Sequence, residues 1–200
     1  MRMRTLFVLA VSAVAASTAC AQDVARSVDA GGFDVAGVKL GMTRSQAVAA
    51  ATDKLHVAKG AIQFDKFPQV NPVTKTKEPA NFTATNGSGT LSVYFFPKIP
   101  FDKANPMVVG MVKYEMPRTP ENAQSMKAAA LEKYGQPSNG TLPDSFDWCS
   151  HPNKNIGIGC FDFQGPKLKY HGVSVELTDP TYQAALVKFI NKSQSSRPAF

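Results

Sequence analysis

The sequence predicts an α+β fold: antiparallel sheet with helices packed on one face, in two successive rounds of one helix followed by three strands. Three observations carry this. Two segments have apolar residues at helical spacing and clear start signals, at Thr43 and Thr119. Each is followed by short apolar or alternating stretches rich in aromatic and branched residues. Runs of strands separated by single helices favour antiparallel sheets with helices on one side.

Taken in order, Phe33 to Met42 is an alternating stretch that runs into Gly41. Thr43 with Gln46 then reads as a capping box, and Ala47, Val48, Ala51 and Leu55 repeat along one face, so helix one spans Arg44 to Lys54. Strands are expected over Ala58 to Phe67, Thr90 to Phe96 and Met107 to Met116. Between the first two, Pro68 to Gly89 reads as a polar insert with an Asn86-Gly87-Ser88-Gly89 turn, either a functional loop or a mobile one. Thr119 caps the second helix, with Pro120 at its first position and Gly135 and Pro137 closing it. Strands follow over Ser145 to Ser150, Ile156 to Phe163 and Tyr170 to Thr178, and Asp179-Pro180 opens a last helix carrying Tyr182, Leu186, Phe189 and Ile190.

Ahead of this domain, Arg2 and Arg4 precede an apolar run from Leu6 to Ala16 and the small-residue exit Ser17 to Ala21. A basic end, an apolar stretch and an A-x-A exit form an export signal, with cleavage expected after Ala21. The organisation read from sequence is a signal peptide over 1–21, a flexible N-terminus over 22–32, a single α+β domain over 33–192 with a pseudo-repeat of 33–117 and 118–192, and a flexible tail over 193–200. The expected location is the periplasm or the exterior.

The 200 residues include 44% hydrophobic and 18% charged side chains, a balance that supports a packed core and excludes global disorder. No apolar run after Ala16 approaches the roughly 20 residues of a membrane-spanning helix. The formal charge is +7, falling to about +5 once Arg2 and Arg4 leave with the leader, and the lysines are dispersed. That pattern reads as a solvated basic surface and excludes a dense nucleic-acid site. The partner expected is a protein or an envelope component.

Gly37-Val38-Lys39-Leu40-Gly41-Met42-Thr43-Arg44-Ser45-Gln46 resembles the G-x-x-L-G-M-T-x-x-Q opening of many small exported bacterial domains. Ala130 to Ser138 resembles the K-Y-G-x-P helix exit of uncharacterised secreted proteins of Gram-negative bacteria. The opening is also similar to the small lipoproteins of the outer-membrane barrel-assembly machinery, which pack helices on a short antiparallel sheet, as beta-lactamase inhibitory protein does in tandem. The resemblance implies a non-enzymatic interaction fold and supplies no functional residues. An alternative is an outer-membrane lipoprotein anchored at Cys20 and acting in envelope assembly, although Ser17 stands three positions before that cysteine, where those lipoproteins carry Leu or a similar residue.

After cleavage Cys149 and Cys160 remain, and an even pair in an oxidising compartment reads as a disulfide across the turn-like Pro152 to Asn155. Strand parity places Cys149 with Ser145 and Asp147 on the wetter side, opposite Phe146 and Trp148. A second alternative is a small hydrolase or metal-binding protein using Cys149, His151, Cys160 and His171, with Asp162 nearby; these are zinc-donor types, but C-x-H lacks the usual gap. Asp144, Asp147 and Asp162 read as solvated acids at a turn, and Met107, Met111 and Met116 as core filling, with Met107 and Met111 sharing a side. No P-loop, H-E-x-x-H or G-x-S-x-G motif is present, and no cofactor is called for. Ser92, Tyr94 and Phe96 share one side of their strand, and Leu91, Val93 and Phe95 the other. Both sides are then buried, or one is a binding face. The candidate binding surface is Tyr94, Phe96 and Tyr114, together with the Pro68 to Gly89 loop.

Overall fold

The computed structural model describes residues 25–142, 144–153 and 159–195. A two-stranded hairpin, β1 (Asp34–Val35) and β2 (Val38–Lys39), leads into α1 (Arg44–Leu55). Four strands follow, β3 (Ile62–Phe64), β4 (Asn81–Asn86), β5 (Gly89–Pro97) and β6 (Met107–Glu115). After α2 (Pro120–Tyr134) come β7 (Asn139–Leu142), β8 (Ser145–Cys149), β9 (Lys167–His171) and β10 (Ser174–Thr178), and α3 (Pro180–Ser195) ends the described chain. The fold is α+β, as the helix and strand signals require.

The main sheet has eight strands in the order β3-β4-β5-β6-β10-β9-β8-β7, antiparallel throughout. Each helix is thus followed by a four-stranded meander, and the last strands of the two meanders, β6 and β10, pair at the centre. That is one strand more per round than the sequence pattern shows.

Local chemistry explains the helix ends. The Gln46 N–H donates to Thr43 Oγ1 (3.4 Å) while the Thr43 N–H donates to Gln46 Oε1 (2.9 Å), which satisfies two donors at the start of α1. The Asn122 N–H donates to Thr119 Oγ1 (3.2 Å), Pro120 takes the first position of α2, and the Gly135 N–H closes the helix on Leu131 O. The Thr181 N–H donates to Asp179 Oδ1 (3.0 Å) at the start of α3.

One face of the sheet carries the core. Phe82, Leu91, Val93, Val112, Leu177, Leu168 and Trp148 are fully buried there, beneath Ala47 and Ala51 of α1 and Met126, Ala130 and Tyr134 of α2. The aromatic residues keep their polar tips bonded: Trp148 Nε1–H donates to Gly135 O, the Tyr134 hydroxyl to Asp34 O and the Tyr170 hydroxyl to Ala123 O. No residue of α3 joins this cluster; α3 lies against β5, and its Tyr182 comes close to Gly41 and Lys98. It covers one end of the second face, where Val108 is fully buried outside the main cluster and faces Phe96 across the ladder. Among the described residues no helix is long and apolar enough to cross a membrane.

Several expectations are corrected. Residues 25–32 are not a free N-terminal segment: the Arg26 N–H bonds Ser138 O, the Val28 N–H bonds Cys149 O, and Ala30 is fully buried. The Pro68 to Gly89 segment contains a strand, because Phe82 and Ala84 alternate inward in β4, and the stretch ahead of it is pinned around Asn71, whose Oδ1 accepts from the Val73 and Thr74 N–H groups. Ala58 to Phe67 is a 3₁₀ turn and the short β3. Tyr170 to Thr178 is not one strand, since Gly172 turns it back at φ +56° and pairs β9 with β10. The described part of Ile156 to Phe163, residues 159–163, is turn and irregular chain rather than strand. α3 continues to Ser195, past the expected start of the tail. The signal peptide, Cys20 and residues 196–200 lie outside the described residues.

Candidate recognition surface

The second sheet face is polar and is read directly from the register. One row runs across six strands as Thr83, Ser92, Lys113, Glu176, Lys169 and Asp147. Neighbouring strands lie roughly 4.8 Å apart, so its last four members alternate in charge from strand to strand. A parallel row runs Thr85, Thr90, Glu115, Ser174, His171 and Ser145. Lys113 Nζ donates to Glu115 Oε2 at 2.6 Å along its own strand. That hydrogen bond, with the charges of Lys113 and Arg118, outweighs partial burial and holds the Glu115 carboxyl below the usual range.

Each end of this face has a cover. At the β5 and β6 end lies α3. At the β8 and β9 end lies the loop between those strands, closed by the Cys149–Cys160 disulfide with a Cα–Cα distance of 6.0 Å. Cys149 does share its side with Asp147, as parity requires, yet both cysteines are fully buried because the loop folds over them. Lys167 holds the loop down: its ammonium donates to the carbonyls of Cys160 (3.1 Å), Phe161 (3.1 Å) and Phe163 (2.9 Å). Burial lowers the Lys167 pKa, with the Asp147 charge acting in the opposite direction. Asp147 Oδ2 accepts from the Cys160 N–H at 3.2 Å. Beneath the disulfide, the Ser138 hydroxyl donates to Cys149 O and accepts from the Cys149 N–H, both at 3.0 Å, so the one buried polar side chain of the described residues is satisfied on both sides.

The residues singled out by sequence are not all together. Tyr94 and Phe96 lie on this second face, in the region α3 covers, with the Phe96 ring seated over Gly110. Tyr114 faces Leu91 and Val175 on the core side and is separated from them by the sheet itself. Tyr114 pairs with Leu91, three positions from Tyr94, so the two tyrosines take opposite sides by strand parity; a bulge beyond Tyr94, where Phe95 pairs with Val109 and Gly110 is skipped, puts Met107 and Met111 on opposite sides as well. The Pro68 to Ala80 part of the insert adjoins the same end of β5, where Ala80 O accepts from the Phe95 N–H, and it is tied to α1, where Arg44 Nη2 donates to Glu78 Oε2 (2.9 Å) and Pro79 O (3.1 Å). His151 stacks on Phe163 with ring centroids 5.4 Å apart, and His171 sits in register with Ser145 and Ser174. Cys149 and Cys160 are joined to each other, and among the described residues no group of three or more His, Cys, Asp or Glu gathers to hold a metal.

The strip left between the two covers holds Lys113, Glu176 and Lys169, bordered by Phe161, which is 80% exposed on the loop. Sequence reasoning missed these residues. The signal was present as outward Lys and Glu positions in Lys-Leu-Lys-Tyr-His and Ser-Val-Glu-Leu-Thr, and becomes readable only once the hairpin at Gly172 is recognised. No protein family, curated protein or solved structure matches this chain.

Proposed function

We propose that the protein is an exported, non-enzymatic recognition protein that engages a protein or envelope component through the open strip of its sheet. The observation that carries this reading is the strip itself: a row of alternating charge, Lys113, Glu176, Lys169, on a rigid eight-stranded scaffold, bare of helix while both ends of the same face are covered. A fixed charge pattern on a sheet specifies orientation and partner more than raw affinity. The buried disulfide fits an oxidising compartment and hence the export signal. The reading rests on the sheet face, and the insert around Glu78 has no part in it.

The test is affinity capture from an envelope fraction with the wild type and with the paired swap Lys169→Glu, Glu176→Lys. The two residues are register partners, so the swap keeps their own pair and the net charge, while it sets a lysine beside Lys113 and a glutamate beside Asp147 and so replaces the alternating pattern a partner meets. Loss of a captured partner, with the protein still folded and its thermal midpoint lowered only slightly by the two new like-charge neighbours, is the expected outcome. Equal capture by both proteins would remove the strip from the function.

A further inference from the structure

The core side of the sheet holds an apolar cleft that the recognition reading does not use. It has a volume of about 240 Å³ and opens above the central seam, with Tyr114, Met116 and Val175 as its floor. Its geometry follows from how the helices are spaced. The small β1–β2 hairpin wedges against β6 and β10, but it reaches only as far as Ala36. Beyond that turn the cleft lies between Leu55 at the end of α1 and Met126 on α2. Ser125 and Ala129 form the α2 rim, and both are exposed and small, so the mouth stays open. Leu55, Tyr114 and Met116 are consequently only half-buried, an arrangement that favours removal of water by an apolar group.

The charge at the mouth has one sign in excess. Lys133 lines the cleft, Lys39 stands opposite Asp34 in the hairpin, and the Lys54 stem lies against Gly37 at its turn. The acid facing them there is Asp34, already bonded by Lys133 Nζ at 2.7 Å.

We infer that this cleft is a binding site for a small anionic amphiphile, a single aromatic ring or short branched chain carrying a carboxylate. The ring rests on Met116 and Tyr114, and the anionic group lies in the field of Lys133. An apolar cavity of about 150 Å³ is enough to take benzene, and the two methionines adapt their shape to the guest. The hairpin turn at Val35 and Ala36 walls one end, so the site is too short for a long acyl chain.

The experiment follows backbone amide shifts of the folded protein during titration with 4-phenylbutyrate, with 4-phenylbutanol and palmitate as comparisons. Saturable shifts are expected at Ala36, Leu55, Met116 and along residues 125–134, with the alcohol bound about fivefold more weakly because it lacks the exposed ion pair. Ala129→Phe fills the mouth from an exposed helix position and should abolish the shifts without moving the thermal midpoint; Ser125→Leu closes the other side of the rim and serves if that variant folds poorly. Shifts that do not saturate, that map elsewhere, that survive both variants, or palmitate binding as tight as that of the arylcarboxylate would each overturn the proposal. None of these results bears on capture of a partner by the opposite face.

Discussion

The two ends of the polar sheet face are both closed, but by different means. At one end a 16-residue helix, α3, lies on β5, and the burial is apolar: Val108 is fully excluded from water and the Phe96 ring packs on Gly110. At the other end the cover is a loop whose own aromatic residue, Phe161, is 80% exposed and whose His151 is also exposed. Among the described residues of this loop the one fully buried side chain is that of Cys160 itself, so the hydrophobic effect contributes little there. The loop is held, among the described residues, by a covalent bond, by one ammonium group shared among three carbonyls and by the Asp147 carboxylate on the Cys160 N–H. A cover can therefore be built from mass or from pins, and the sequence composition of the segment decides which.

Removing the pins one at a time tests this contrast. The largest effect is expected from Cys149→Ser with Cys160→Ser: a loss of about 3 kcal/mol in denaturant unfolding, with proteolytic cleavage appearing in the loop and none in α3. If the double variant unfolds at the wild-type midpoint, the loop is held by something other than its staple. Val108→Ala acts on the other cover and should lower stability by about 2.5 kcal/mol. In that variant protease sensitivity should rise at α3 and stay unchanged at the loop. Lys167→Met leaves three carbonyls without their donor, and a loss of about 1.5 kcal/mol is expected by the same unfolding measurement. An unchanged midpoint would mean that water replaces the ammonium fully.

The smallest effect is a pH dependence on the opposite face, where the hairpin is tied to α2. Burial tends to raise the Asp34 carboxyl, but the Lys133 hydrogen bond, the Gly37 N–H and the charges of Lys133 and Lys39 bring it below the usual carboxylate range. Its stabilising contribution is therefore present above about pH 4 and is lost as the pH falls through the lowered folded value. Asp34→Asn should flatten the acid limb of a stability-against-pH curve below about pH 4, leaving both covers of the polar face unaffected. An acid limb identical to the wild type would assign that dependence to other carboxylates.

What could be read from the chain divides along the range of the interactions. The caps at Thr43 and Thr119 and the stop at Gly135 involve residues three or four apart, so α1 and α2 were legible to within a residue or two. The disulfide was legible because two cysteines in an oxidising route have few alternatives. β4 was hidden because only Phe82 and Ala84 point inward between polar neighbours, and β9 because a lysine-rich strand reads as surface. The site was less legible than the fold. Which side of the sheet Tyr94 and Tyr114 occupy relative to each other depends on the register between distant segments, which leaves no mark in local spacing. The burial of Cys149 on the polar side likewise needed the loop to return over it.

The pairing of β6 with β10 has a consequence for how the chain is made. β6 is complete by Glu115, but the strand that covers its free edge is the last of the sheet to be synthesised, beginning at Ser174. For all the intervening length the nascent first half presents an unpaired strand flanked by Val108, Val109 and Val112, the kind of edge that recruits other chains. The central seam can close only once β10 has been made, and any ribosomal product truncated before Ser174 leaves β6 without its neighbour.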